Sequence, residues 1–137
     1  MGIEQWNIEL WVNPNGSCYI ERDILKKMKS KDPFVYGSLE EKMNQYVNNP
    51  IENAQKLQIL KKVKSQSYMW ELVFSLSKSE IRFLGCLAQE TDNHTFYALV
   101  GFRKKDQEIK SKYTKIAKSR ISEFISYYHQ NELQKLL

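Results

Sequence analysis

Cysteine is nearly absent from this sequence: Cys18 and Cys86 lie far apart and without a Cys/His spacing that could hold zinc. That argues against a zinc module and a disulfide-stapled scaffold, and two buried free thiols in a reducing compartment are expected. Histidine is as scarce. His94 sits in a polar, turn-like stretch and His129 near the carboxyl end, neither with companions for a nucleophilic triad. An apolar run of roughly 18 residues, long enough to cross a bilayer, is missing. The opening Met1-Gly2-Ile3-Glu4-Gln5-Trp6 lacks the basic and apolar regions of a secretory signal, so a cytoplasmic protein is expected. Linker-like and low-complexity stretches are also lacking. With 42% apolar residues, positions 1–137 are expected to fold as a single domain.

What the sequence does have is positive charge, unevenly spread. The net charge is +5, yet Gly101 to Arg120 holds Arg103, Lys104, Lys105, Lys110, Lys112, Lys115, Lys118 and Arg120 against only Asp106 and Glu108. The remainder is therefore slightly acidic, and the basicity is a local feature that points to a nucleic-acid partner. A smaller cluster is Lys61, Lys62 and Lys64.

Periodicity divides the chain into elements. Trp6 to Val12 alternates as a strand, and Asn13-Pro14-Asn15-Gly16 closes it with turn chemistry. Helical spacing predicts a helix from about Tyr19 to Met28 and a second from about Leu39 to Asn48, which Pro50 ends. Ile51 onward begins as a helix, and Ile59 to Lys64 stays open between helix and strand. Tyr68–Leu76, Glu80–Leu87 and Thr95–Phe102 are three β-rich runs joined by short polar connections, the pattern of an antiparallel meander. A last helix from about Glu108 to Glu132 gathers Ile109, Tyr113, Ile116, Ala117, Phe124 and Tyr128 on one face, with Lys112, Lys115 and Lys118 on the other. Arg120 falls in the apolar sector and needs a partner there, for which Glu123, Glu71 or an external group is available.

Trp70-Glu71-Leu72 leading into a strand, Arg82 on the next, and Gly101-Phe102-Arg103-Lys104-Lys105 followed by Ala117 and Arg120 resemble the phage-derived HigB-like branch of the RelE/ParE toxin superfamily. Ile8-Glu9-Leu10-Trp11-Val12 with Asn15-Gly16 and Cys18 resembles the start of that family. The resemblance implies a small α+β, RelE-like fold, with two N-terminal helices packed on a mainly antiparallel four-stranded sheet and a C-terminal helix. It also implies the toxin of a type II toxin–antitoxin system, a ribosome-dependent and metal-independent mRNA endoribonuclease without cofactor, neutralised by a protein antitoxin of helix-turn-helix type. Where the family commonly carries arginine after Trp-Glu-Leu, this chain has Val73. A catalytically degenerate RelE-fold binding protein and a ParE-like gyrase poison are the alternatives.

RNA cleavage by its own 2′-hydroxyl needs a route for that proton, stabilisation of charge on phosphorus and a proton for the leaving oxygen. Preorganised cations meet the second need. In this reading Arg82 and Arg103 hold the scissile phosphate, Lys104 assists, and Tyr113 stacks on a base or moves a proton. Lys61, Lys62, Lys64, Lys105 and Lys112 track the RNA backbone. Each has a plainer role beside it. Arg82 is equally placed to pair with Glu71 on the neighbouring strand, Tyr113 has the spacing of a core residue, and the helix lysines fit a solvated face.

Overall fold

A computed structural model describes residues 5–77, 79–90, 93–104 and 111–128. Lys105, Ile109, Lys110 and His129 lie outside them, as do the expected ends of the last helix, Glu108 and Glu132. The architecture is α+β: a five-stranded mixed sheet in the order β1-β5-β4-β3-β2 with helices against both faces.

β1 (Gln5–Leu10) alternates, with Trp6 buried between exposed Gln5 and Asn7. The Trp6 indole donates to the carbonyls of Tyr46 (2.9 Å) and Asn49 (3.0 Å), tying the strand to the end of a helix. Asn13 makes the turn that follows. Its side-chain oxygen accepts from the backbone N–H groups of Asn15 and Ser17, both at 3.0 Å. Helical backbone then begins at Tyr19, passes through a π-helical turn, Glu21–Leu25, and continues as α1 (Lys26–Lys31). Asp32 leaves the helical region (φ −146°, ψ 57°), and Pro33 opens α2 (Pro33–Val47) at the position where a missing N–H costs nothing. This helix begins before the expected Leu39. Phe34, Val35 and Gly37 are weak helix formers, and packing of Leu39, Met43 and Val47 overrides them. α3 (Ile51–Lys56) follows Pro50, and the stretch left open resolves as the short strand β2 (Leu60–Lys62).

β3 (Trp70–Ser75), β4 (Glu80–Glu90) and β5 (Asn93–Arg103) form the expected meander. The first strand departs from expectation. β1 lies parallel to β5, so the sheet is mixed, and β2 makes it five strands rather than four. The parallel pairing is possible because α1, α2, α3 and the strands β2 to β4 intervene between β1 and β5, giving the chain the length a crossover needs. α4 (Ser111–Ser126) closes the described chain.

Two cores result. On one face Trp6, Leu72, Phe74, Ile81, Phe83 and Phe96 pack under α1, α2 and α3. On the other Leu84, Cys86, Tyr97, Leu99 and Phe102 pack under Ala117, Ile121 and Phe124 of α4. Phe74 meets Phe83 edge-on at 5.0 Å and Tyr46 face-on at 5.2 Å, aromatic pairs worth about 0.5–1.5 kcal/mol each beyond their buried area. Cys86 is buried, whereas Cys18 is half-buried beside an isolated bridge to Val12, so only one thiol is in the core.

Candidate nucleic-acid cleft

The cleft arises because β1 is shorter than the strand it pairs with. β1 accompanies β5 only to Leu10 opposite Ala98, and Trp11 adds one last bond from its N–H to the Ala98 carbonyl (3.3 Å). β5 runs on to Arg103, and among the described residues no strand covers that side. Helix α1 approaches this open edge from one face of the sheet and α4 from the other. Between them lies a cavity of about 420 Å³, walled by Ile24 and Met28 on one side and Tyr113 and Ile116 on the other, with Val100 to Arg103 as its floor.

A β-bulge decides which side chains reach it. Leu84 pairs with Val100 and Gly85 with Ala98, so Leu99 is an extra residue in β5. Leu99 and Val100 both pack on the α4 side, and the alternation beyond them is reversed. Arg103 is thereby turned to the α1 face, where its guanidinium donates to Asp32 at 2.8 Å. Arg82 belongs to a strand without that extra residue and stays on the opposite face. The expected pairing of Arg82 with Arg103 over one phosphate is therefore not what the structure forms.

Arg82 is instead enclosed by carboxylates. It donates to Glu71 at 2.6 Å and, through Nε and Nη2, to Glu80 at 2.8 and 2.6 Å. Lys61 adds a contact to the second Glu71 oxygen at 3.7 Å. Burial works against the Arg82 charge, but the hydrogen bonds to Glu71 and Glu80 outweigh it and hold the guanidinium above its ordinary pKa. Every nitrogen of the fork has a partner, so this arginine is a structural cation between two strands.

The remaining sequence candidates divide. Tyr113 lines the cleft and stacks on Phe102 at 4.0 Å between ring centres, nearly parallel. Lys112 is exposed beside it, its ammonium 5.0 Å from the Tyr113 ring centre. Lys104 follows the end of β5, anchored by its N–H to the Glu80 carbonyl (2.9 Å), and does not line the cavity. Lys61, Lys62 and Lys64 are on or just beyond β2, three strands from β5, about 14 Å across the sheet at ordinary strand spacing. They belong to a different surface. Lys105 lies outside the described residues. Lys115 and Lys118 are exposed on α4, as expected of a solvated edge, whereas Ile116, read as a core residue, is 37% exposed at the cleft wall.

Sequence reasoning missed the α1 contribution. Asp23, Lys27, Lys31 and Asp32 all line the cavity. Asp23 accepts from Arg120 Nη1 at 2.6 Å and from the Gly101 N–H at 3.2 Å, while the same Arg120 nitrogen donates to the Leu99 carbonyl at 2.8 Å. Arg120 thus finds its partner in Asp23, not in Glu71 or Glu123, and lies 4.1 Å above the Tyr19 ring. Glu123 accepts from the Tyr19 hydroxyl, a bond that, with burial, raises the tyrosine pKa. The four-residue spacing of Asp23, Lys27 and Lys31 was the available signal, since it places them along one side of a helix. With Asp23 held by Arg120 and Asp32 by Arg103, Lys27 and Lys31 are without an ion pair among the described residues.

No metal-binding group of histidine, cysteine and carboxylate side chains occurs among the described residues, and no helix there is long and apolar enough to cross a membrane. No family model matches the chain, and no curated protein or solved structure matches it either.

Proposed function

We propose that the chain binds single-stranded RNA in the cleft at the carboxyl end of β5, and that it is a RelE-like toxin cutting mRNA on the ribosome under the control of a protein antitoxin. The observation that carries the RNA reading is the convergence of Arg103 and Tyr113 with Lys27 and Lys31 around one open cavity. Three cations and a tyrosine stacked on Phe102 offer phosphate contacts beside an aromatic surface, the combination that holds an unpaired strand. Arg103 is one-third exposed and its partner Asp32 more so, which leaves the guanidinium accessible to a phosphate oxygen. The toxin reading adds the resemblance of Trp70-Glu71-Leu72, Arg82 and Gly101-Phe102-Arg103-Lys104-Lys105 to that superfamily. The family's RelE-like topology is part of the same proposal.

In this site Arg103 stabilises charge on phosphorus, Tyr113 serves as stacking surface or proton carrier, and Lys27, Lys31 and Lys112 hold neighbouring phosphates. Arg82 holds the sheet. A second reading has a specific observation behind it. With Val73 directly opposite Arg82 and two carboxylates closing on that guanidinium, Arg82 has no unpartnered nitrogen to offer a phosphate. That favours an RNA-binding member without nuclease activity.

Induced expression in a bacterium, with transcript ends mapped on translating ribosomes, separates the two. New 5′ ends that disappear in Arg103→Ala and persist in Lys62→Ala support the nuclease. Intact transcripts with soluble protein, and RNA still bound in vitro, would leave the binding member. Trapped cleaved DNA with intact messages would mean a gyrase poison.

A further inference from the structure

We propose that Trp11, Tyr19 and Tyr127 form a stacking platform beyond the cleft, on which bases of the same unpaired RNA strand lie when its phosphates meet Arg103, Lys27 and Lys31. This extends the RNA reading to a second contact of the strand and rests on that reading. It does not depend on whether the strand is cut.

The spacing of residues on α4 joins the two places. Tyr113, Ile116, Arg120, Glu123 and Tyr127 follow one another at alternating steps of three and four residues, which sets them on one stripe of α4 and the residue just past it. Tyr113 and Ile116 wall the cavity. Arg120 stands at its end, bonded to Asp23 and the Leu99 carbonyl, with its guanidinium 4.1 Å from the centre of the Tyr19 ring. Aromatic surface continues from there. Trp11, one residue past β1, packs on the α4 side of the sheet. Its ring centre is 6.4 Å from that of Tyr19 and 6.5 Å from that of Tyr127, inclined at 38° to each, and it meets Phe124 edge-on at 5.2 Å. Tyr113 and Tyr127 are about 21 Å apart along the helix axis, a span of several nucleotides.

Core packing accounts for Phe124, which is fully buried, but not for the rings around it. Tyr127 is 63% exposed, and Trp11 and Tyr19 are half-buried, so three neighbouring rings keep surface in solvent. A single exposed aromatic needs no explanation, whereas a contiguous group marks a binding surface. Tyr19 is also held in place. Its hydroxyl donates to Glu123, whose other oxygen accepts from the Asn13 amide at 3.5 Å, and Arg120 covers its ring. Charge agrees with a nucleic-acid occupant. Arg22 lies 5.5 Å from the Tyr19 ring centre, bonded to the Ser17 hydroxyl at 3.4 Å and without an ion pair among the described residues. Asp23 is matched by Arg120, and both Glu123 oxygens are engaged. The platform therefore carries little net charge, and ring faces rather than phosphate contacts give it its hold. Bases of an unpaired strand offer π faces to such a surface, while a duplex keeps its bases stacked on one another.

Tryptophan emission gives a direct readout. Of the three tryptophans, Trp6 and Trp70 are buried and Trp11 is half-buried, so quenching by bound RNA reports on Trp11. The test titrates the full chain with an unpaired RNA of mixed sequence, about twelve nucleotides long, and follows emission and anisotropy together. The expected result is quenching that tracks binding, and about tenfold weaker binding to Trp11→Leu/Tyr127→Ser. Because stacking releases no counterions, that variant should keep the salt dependence of the parent. Trp11→Phe/Tyr127→Phe retains the ring faces and is expected to restore most of the affinity. An RNA duplex of the same sequence should leave the emission unchanged. Binding of the unpaired strand without quenching, equal affinity of Trp11→Leu/Tyr127→Ser, or no recovery in the phenylalanine variant overturns the platform and leaves the cleft reading standing. Quenching that persists when Lys27→Ser/Lys31→Ser and Arg103→Ala leave affinity unchanged supports the platform and defeats the cleft. A parent chain that binds no RNA defeats both.

Discussion

Glu71 carries its charge into the sheet at 2% exposure, between the Arg82 guanidinium at 2.6 Å and the Lys61 ammonium at 3.7 Å. Removing one member of a buried pair leaves its partner with a bond unmade, whereas replacing both with apolar groups of similar volume is often neutral. Arg82 keeps its two bonds to Glu80, so Glu71→Ala is expected to lose about 1–3 kcal/mol in urea unfolding, and Glu71→Leu/Arg82→Met to lose less. If the double variant fell further than the single one, the Arg82–Glu80 bonds would be the larger contribution. Cys86 provides a residue-scale test of burial. Its thiol is pushed by burial from 9.0 up to about 12. The unfolded chain gives up that proton from about pH 9, whereas the folded chain keeps it. The thiol's contribution is thus complete below pH 9 and falls as pH rises from 9 to 12, by about 1.4 kcal/mol per unit. Cys86→Ala should flatten that alkaline loss, read as the difference between two unfolding series in which the tyrosines are common to both.

At the scale of elements, the bulge in β5 has the widest consequences. Gly85 sits opposite it, and a Cβ there would come within 1.9 Å of the Tyr97 carbonyl oxygen, so no other residue fits without moving the neighbouring strand. Gly85→Ala is expected to cost more than about 3 kcal/mol, among the larger effects single substitutions produce. Because the register beyond the bulge depends on this contact, the Gly101 amide should lose hydrogen-exchange protection in the same variant. The bulge also explains why one part of the site was legible in the sequence and another was not. The three β-rich runs, their order and the tyrosine at the start of the last helix follow from alternation and spacing. The face occupied by Arg103 does not, because Thr95-Phe96-Tyr97-Ala98-Leu99-Val100-Gly101-Phe102 reads as an uninterrupted strand. Uninterrupted alternation would put Arg103 on the face of Tyr97, and so of Arg82. One extra residue sends it to the other side, and only the pairing of β4 with β5 reveals that residue. The parallel placement of β1 was hidden for a related reason, since it depends on a partner more than eighty positions away.

Across the whole molecule, positive charge is divided between surfaces that the sequence alone presents as a list. Lys27, Lys31 and Arg103 face the cleft, Lys112, Lys115 and Lys118 edge α4, and Lys61, Lys62 and Lys64 lie at or beside β2. Local concentration between Gly101 and Arg120 is the ground in the sequence for expecting a nucleic-acid partner, and it leaves out α1, whose lysines are distant in sequence and line the same cleft. Salt dependence can distinguish these surfaces because each phosphate contact releases counterions. For single-stranded nucleic acid the slope of log K against log salt is about −0.7 per contact. If RNA lies in the cleft, Lys27→Ser/Lys31→Ser should reduce the magnitude of the slope by about 1.4, and Lys62→Ser/Lys64→Ser should leave it unchanged. Anisotropy titrations of oligouridine over a range of salt concentrations measure both variants against the parent. The reverse outcome would move the RNA to the β2 edge and detach Arg103 from it, whereas equal small losses from both would mean that charge gathers RNA without a defined track.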